Sequence, residues 1–190
     1  MTISRRDAIL DAAVEVFGSV GYRGGSLRDV AGRVGVTVQG VLHYFPSKDD
    51  LLRGVLERRQ PEVLAENEAA FERDGLAGLV AVIVRRNRDA PGVARLFTTL
   101  AAEATDAAHP AHSYFVERYR SVAAALAEKV TAEQSAGRMR PDVPVQTAVR
   151  VLVSLLDGLQ LQYLLDPDFD VERTAREALA LFEASRPTEQ

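Results

Sequence analysis

Residues 26–52 read SLRDVAGRVGVTVQGVLHYFPSKDDLL, and this stretch decides the fold. Within 27–46, Val30, Ala31, Val34, Gly35, Val36, Val41 and Tyr44 recur at the spacing of two short helices joined by a tight turn. Ala31 is small enough to stand where two helices cross. Gly35 can take the positive φ that such a turn demands. The apolar positions form a wedge against a supporting helix. Neither helix, near 27–34 and 38–44, is long enough to hold in isolation, so both must be packed on something. The pattern is that of a helix-turn-helix.

Upstream, Ile9, Ala13, Val16, Phe17 and Val20 lie on one face of a first helix, with Ser4 and Asp7 placed to cap its start and Gly18 and Gly21 at its end. Ser26 with Asp29, Thr37, and Ser47 followed by Asp49 and Asp50 mark three more starts. The fourth helix meets Pro61, which predicts a break near Gln60 and a domain boundary there. Beyond it, helices are expected over 75–89, 91–107, 110–136, 143–165 and 170–184, with Pro91, Pro110 and Pro144 near starts, Gly137 at an end and Asp170 as a cap. The tail from 185 to 190 should fray. No segment alternates with period two, so the expectation is an all-α chain of about nine helices. It divides into a three-helix head at 1–46, a connecting helix at 47–60 and a larger body at 61–190.

The 190 residues hold no cysteine, which excludes disulfides, thiolate metal sites and a cysteine nucleophile. There is no Ser-His-Asp signature, phosphate loop or zinc-hydrolase motif, so no enzyme and no cofactor are expected. His109 and His112 sit three apart, but with Pro110 between them they are expected at a helix start, not on a metal. No apolar run reaches the length of a bilayer span, Val151–Leu165 being interrupted by Asp157, Gln160 and Gln162, and the N-terminus has no apolar signal core. A soluble cytoplasmic protein, with no membrane partner, is the expectation. Residues 1–60 carry a net +2 and the remainder −6. A basic head on an acidic body fits a head that meets a polyanion.

In a helix-turn-helix the N-terminal end of the second helix enters the major groove. Here that end offers Thr37, Val38, Gln39 and Gly40. Gln39 can pair with the edge of adenine, Val38 can touch a thymine methyl, and Gly40 leaves room for close approach. Thr37 can cap the helix or donate to a phosphate. His43, Tyr44 and Lys48 lie further along, toward phosphates, which position without specifying. Tyr44 also fits the wedge. The helix start at Ser26 and Arg28 offers backbone N–H groups to another phosphate. Operator DNA is the partner this implies. The alternative is a helical protein-interaction module in which the helix-turn-helix only packs.

The runs Ser26–Ala31, Val34–Thr37 and Leu42–Leu52, together with Ile9–Ala13, Phe17 and Gly21-Tyr22, resemble the TetR family of bacterial transcriptional regulators. That resemblance implies a DNA-binding head, a helical ligand and dimer body, and a homodimer on a roughly palindromic operator, usually a repressor released by a small molecule. Leu42 stands where the family often has a Tyr that touches a phosphate.

The body offers candidates for both roles. The segment 147–165 is apolar nearly all round, which predicts burial in the core on one side and against a second subunit on the other. Val149, Leu152, Leu156 and Leu159, with Ala178 and Phe182 of the last helix, are the candidate dimer contacts. The resemblance implies that the last two helices of each subunit form a four-helix interface. Phe97, Glu103, Tyr119 and Gln160 are candidate contacts for the small-molecule effector, as polar or aromatic groups in an apolar body.

Overall fold

The computed structural model describes residues 4–58 and 60–184, so the tail at 185–190 lies outside the described residues. Its elements are α1 (Arg5–Gly24), α2 (Leu27–Val34), α3 (Val38–Leu42), α4 (Lys48–Glu57), α5 (Gln60–Asp89), α6 (Pro91–Glu103), α7 (His112–Ser135), α8 (Val145–Leu165) and α9 (Val171–Ala180). Among the described residues there is no strand, only one antiparallel bridge between Met139 and Glu183.

Local chemistry sets most of these bounds. Ser4, Ser26, Thr37, Ser47 and Asp170 each accept a backbone N–H from three residues on, satisfying donors that a helix start leaves open. α4 stops at Glu57 and α5 starts at Gln60, with Pro61 in the first turn, where a missing N–H costs nothing. α5 is broken at Asp74 and Gly75, the latter at φ 63. Pro91 opens α6, and Gly137 follows α7 at φ 70. α7 begins at His112, not at Pro110 as the sequence predicted.

The chain falls into two compact units, one of residues up to 62 together with 90–116, the other of 63–89 and from 117 onward. The first therefore holds more than the expected head: α6 and the start of α7 belong with it. α6 packs along α1. Gly18, read from the sequence as a helix end, lies inside α1 at this crossing, and an added Cβ there would stand 3.2 Å from the Gly92 carbonyl oxygen. Ile9, Leu10 and Phe17 of α1, Val41 between the short helices, Leu51 of α4 and Leu100 of α6 are completely buried in this unit. Side chains of this size are worth about 1.5–3 kcal/mol each when fully buried. The end of α4 is tied down as well: Arg58 donates to Asp11 at 2.6 Å, and the Tyr114 hydroxyl donates to the Leu56 carbonyl at 3.2 Å.

The second unit has its own core, in which Leu79 and Val80 of α5 and Val130 of α7 meet Val149 and Leu152 of α8 and Leu179 of α9. This corrects the expectation for α8. Val149, Leu152 and Leu159 are 0, 1 and 3% exposed, all turned into their own chain, so they cannot face a second subunit. Leu156, Ala178 and Phe182 are only half-buried. The large apolar residues left outside among the described residues of this unit are Leu64 on α5, Val151, Leu161 and Leu165 on α8 and Leu181 after α9. α8 is also long and apolar enough to cross a membrane by length and composition, contrary to the sequence expectation. Its polar interruptions dilute that character without ending it, and one face is committed to the core just described.

Candidate nucleic-acid interface

The site is built on α2, the turn and α3. The Ser26 hydroxyl donates to the Asp29 carboxylate at 2.5 Å and accepts the Asp29 N–H at 3.2 Å, while the Ser26 N–H donates to the same carboxylate at 2.9 Å. These bonds from Ser26 hold the Asp29 carboxyl below the usual carboxylate range. The Ser26 hydroxyl and N–H are thus both committed to the cap, which leaves the backbone N–H groups of Leu27 and Arg28 as this helix start's offer to a phosphate. Arg28 is exposed beside it.

Gly35 ends α2 in the left-handed region at φ 72, and the Val36 N–H returns to the Ala31 carbonyl at 3.0 Å. Nothing stands within 4 Å of a Cβ added to Gly35, so backbone conformation alone selects glycine there. Thr37 then caps α3, its hydroxyl accepting the Gly40 N–H at 3.1 Å.

α3 is short and two-sided. Val41 and Phe45, four residues apart, are buried and anchor it. Gln39 and His43, also four apart, are exposed on the opposite side. Thr37 is exposed and Val38 half-buried. A Cβ on Gly40 would make only ordinary contacts, so the fold itself does not require glycine at this point. Tyr44 is 40% exposed and leans edge-on against His43 at 5.1 Å. It does not fill the wedge, as the sequence had allowed; Phe45 does, with the Arg6 guanidinium 5.1 Å from its ring centre.

Lys48, at the start of α4, is half-buried. Its ammonium stands 4.2 Å from the centre of the Tyr22 ring, a cation–π contact. Burial pulls its pKa down, opposed by the carboxylates of Asp49 and Glu103. The Tyr22 hydroxyl donates to Asp49, and burial, with that carboxylate, pushes the phenol pKa up. Nothing local in the sequence marks Tyr22, Asp49 or Arg6 as neighbours of this site, because their contacts join chain segments that meet only in the fold.

The candidate effector contacts are divided. Phe97 and Glu103 belong to the first unit, Tyr119 and Gln160 to the second. Phe97 packs edge-on against Phe115 at 6.1 Å. Glu103 accepts the Tyr22 N–H at 2.8 Å, an internal bond in place of the expected exposure to a ligand. Tyr119 donates to Asp157 at 2.8 Å, and burial, reinforced by that carboxylate, pushes its phenol up to about 12. Gln160 accepts from Asn87 at 2.7 Å and lines a crevice of about 10 Å³ with Val84, Leu159 and Tyr163, space for a water at most. His109 accepts the Ala111 N–H on Nδ1, and His112 Nδ1 meets the Ala104 carbonyl.

A family model described as "Bacterial regulatory proteins, tetR family" matches residues 9–55. The HTH-type transcriptional repressor Rv1474c of Mycobacterium tuberculosis is 30% identical over 161 residues, covering 82% of this chain and 80% of its own length. Among solved structures, a TetR-family transcriptional regulator from Agrobacterium tumefaciens superposes with a TM-score of 0.82 at 19% identity, over 94% of this chain and 97% of that one. The regulator FadR from Bacillus subtilis, in complex with stearoyl-CoA, gives 0.74 at 19% identity, over 92% and 95%.

Proposed function

Since the chain belongs to the TetR family of bacterial transcriptional regulators, we propose that it works as a homodimeric repressor that grips a roughly palindromic operator and releases it when a small molecule binds. That it is a DNA-binding regulator follows from the family. The dimer, the palindrome, the repression and the release are our reading.

The observation that supports this reading best is the two-sided α3. Val41 and Phe45 anchor it from within, and Gln39 and His43 look outward four residues apart. A helix held this way presents one edge to a groove. Gln39 is assigned to a base, preferentially adenine, and Val38 to a thymine methyl. Arg28, Thr37, His43, Tyr44 and Lys48 are assigned to phosphates, with the backbone N–H groups of Leu27 and Arg28 just after Ser26.

One five-residue helix makes few base contacts. Two of them about 34–36 Å apart read successive turns of one duplex face. The outer face of α8, with Val151, Leu161 and Leu165 uncovered by its own chain, is our assigned seat for the second copy. Ser154 and Gly158 lie between them, and nothing stands within 4 Å of a Cβ on Gly158, so a second helix can approach closely.

For the effector, Tyr119 and Gln160 of the second unit remain the candidate contacts. Each has an internal partner that a ligand's polar group can replace, and the crevice at Gln160 must widen to admit one. FadR's complex with stearoyl-CoA supports an organic ligand held within this fold. Release is then a population shift: a ligand favouring one arrangement lowers affinity for operator by as much as it discriminates between the two.

The test is selection of bound duplexes from a random pool at about 0.1 M salt, where phosphate contacts still count. Enrichment of an inverted repeat is the expected result. A folded chain that enriches nothing either carries a co-purified ligand that holds it in the released state or uses its helix-turn-helix only for packing; enrichment restored by denaturing and refolding favours the first, and continued failure favours the interaction-module reading.

A further inference from the structure

Glu103 reaches, from the end of α6, into the break near the end of α1. Gly21 takes φ 75 there, interrupting the helix, and the Tyr22 N–H is turned toward the carboxylate. Glu103 Oε2 accepts that N–H at 2.8 Å, across a sequence separation of 81 residues. Its other oxygen occupies the place of a missing side chain: a Cβ on Gly21 would fall 2.1 Å from Oε1. The Nε2 of His109, a buried ring without a hydrogen-bond partner on that nitrogen, lies 3.4 Å from Oε2. Since Nδ1 of the same ring accepts the Ala111 N–H, the neutral ring carries its proton on Nε2, toward Glu103.

Tyr22 is what this carboxylate fixes, and Tyr22 is a platform. Its ring meets His109 edge-on at 5.2 Å and Phe17 at 5.7 Å. Its hydroxyl donates to Asp49, and the Lys48 ammonium rests over the ring. Arg23, next in the chain, pairs with Asp106 just after α6, so two consecutive residues of α1 are tied to the same corner. A lysine stem has several rotatable bonds, and holding its charge at one place costs conformational entropy. A ring fixed beneath the ammonium from three sides lowers that cost before DNA arrives.

We propose that Glu103 is a positioning residue for operator binding, holding Tyr22 and through it the Lys48 ammonium where a DNA phosphate meets it. The proposal rests on the assignment of Lys48 to a phosphate. Glu103 itself touches no DNA. Removing it leaves Lys48 in place in the sequence but free to wander, so its phosphate contact is lost from the equilibrium.

The experiment measures affinity of the full chain for the duplex that the wild type enriches, between about 0.05 and 0.2 M salt, for wild type, Glu103→Ala, Glu103→Gln, Lys48→Ala and the Glu103→Ala/Lys48→Ala double variant. One lost phosphate contact lowers the slope of log K against log salt by about 0.9. Glu103→Ala should show that loss with about a tenfold weaker affinity. Glu103→Gln, which can still accept the Tyr22 N–H, should keep the wild-type slope. In the Lys48→Ala background, Glu103→Ala should change neither slope nor affinity further. If Glu103→Ala does not fold, Glu103→Asp, which keeps the charge but draws the oxygens back, takes its place with the same expectation. A wild-type slope in either variant overturns the proposal, as does an equal further loss in the Lys48→Ala background. Lys48→Ala with an unchanged slope removes the phosphate assignment on which it rests. A wild type that enriches no duplex even after denaturing and refolding removes the operator reading itself, and the proposal with it.

Discussion

Lys48 and Asp29 are charged residues that the fold has partly immobilised, and each has a measurable consequence. Lys48 sits half-buried over Tyr22, and as a phosphate contact it carries no base preference. Lys48→Ala should weaken binding to all duplexes alike and flatten the salt dependence by about one unit of slope; fluorescence anisotropy across a salt series reads both. Asp29 has a carboxyl held below its ordinary value of 3.8 by Ser26. A lowered folded pKa means stability that is present above 3.8 and lost as pH falls through the depressed value. The α2 start should therefore stay intact under mild acid and loosen only below 3.8, and Asp29→Asn should abolish that dependence, as followed by NMR titration of the α2 amides. The Ser26 and Asp29 cap was legible in the sequence because both partners lie within one turn. Tyr22 with Glu103 was not, because no local pattern links residues 81 apart. Glu103 drew notice only as a polar group in an apolar stretch, and its partner proved to be a backbone N–H of α1.

At the scale of elements, the boundaries were readable and the partnerships were less so. Serine, threonine and aspartate caps, with prolines and glycines between them, punctuate the chain wherever backbone groups need it. The crossing of α6 on α1 left no such mark. α6 does carry an apolar stripe, Val93, Leu96, Phe97 and Leu100, but a stripe does not say which helix it meets, so α6 was read as part of the body. Gly35 and Gly18 are fixed by different causes, and substitution separates them. Gly35→Ala meets no atom and should cost about 1–2 kcal/mol through its left-handed backbone alone. Gly18→Ala places a Cβ 3.2 Å from a backbone carbonyl oxygen of α6; overpacking of that kind costs about 1–3 kcal/mol, offset by about 1 kcal/mol from alanine's better helix propensity, so the net loss should be smaller than that of Gly35→Ala. Urea unfolding gives both values. The Gly18 variant should in addition weaken operator binding, since it pushes on the helix that ends in Glu103. α8 misled the sequence reading in another way: apolar residues all round a helix do not tell which side its own core takes. Val149, Leu152 and Leu159 went to the core, and the uncovered side fell to Val151, Leu161 and Leu165.

For the molecule as a whole, our account requires two copies. Leu161 is 46% and Leu165 76% exposed in the single chain, the kind of apolar exposure that marks an interaction surface. Leu161→Glu should shift the chain to monomer in sedimentation at micromolar concentration, and the monomer should lose specific binding while its helical circular dichroism is unchanged. The family was legible from one quarter of the chain, because the helix-turn-helix must satisfy caps, a glycine turn and a wedge within a few residues. The identity of an effector was not, since Tyr119 and Gln160 are already paired within the protein and their chemistry points to no one ligand. The central claim is that the outward edge of α3 reads bases through Gln39. It is tested most directly by selecting duplexes from one random pool with the wild type and with Gln39→Ala. Our account expects an inverted repeat from the wild type. From the variant it expects the same repeat, bound about 1–3 kcal/mol more weakly, with preference lost at one symmetric pair of positions. An unchanged preference at every position would contradict it.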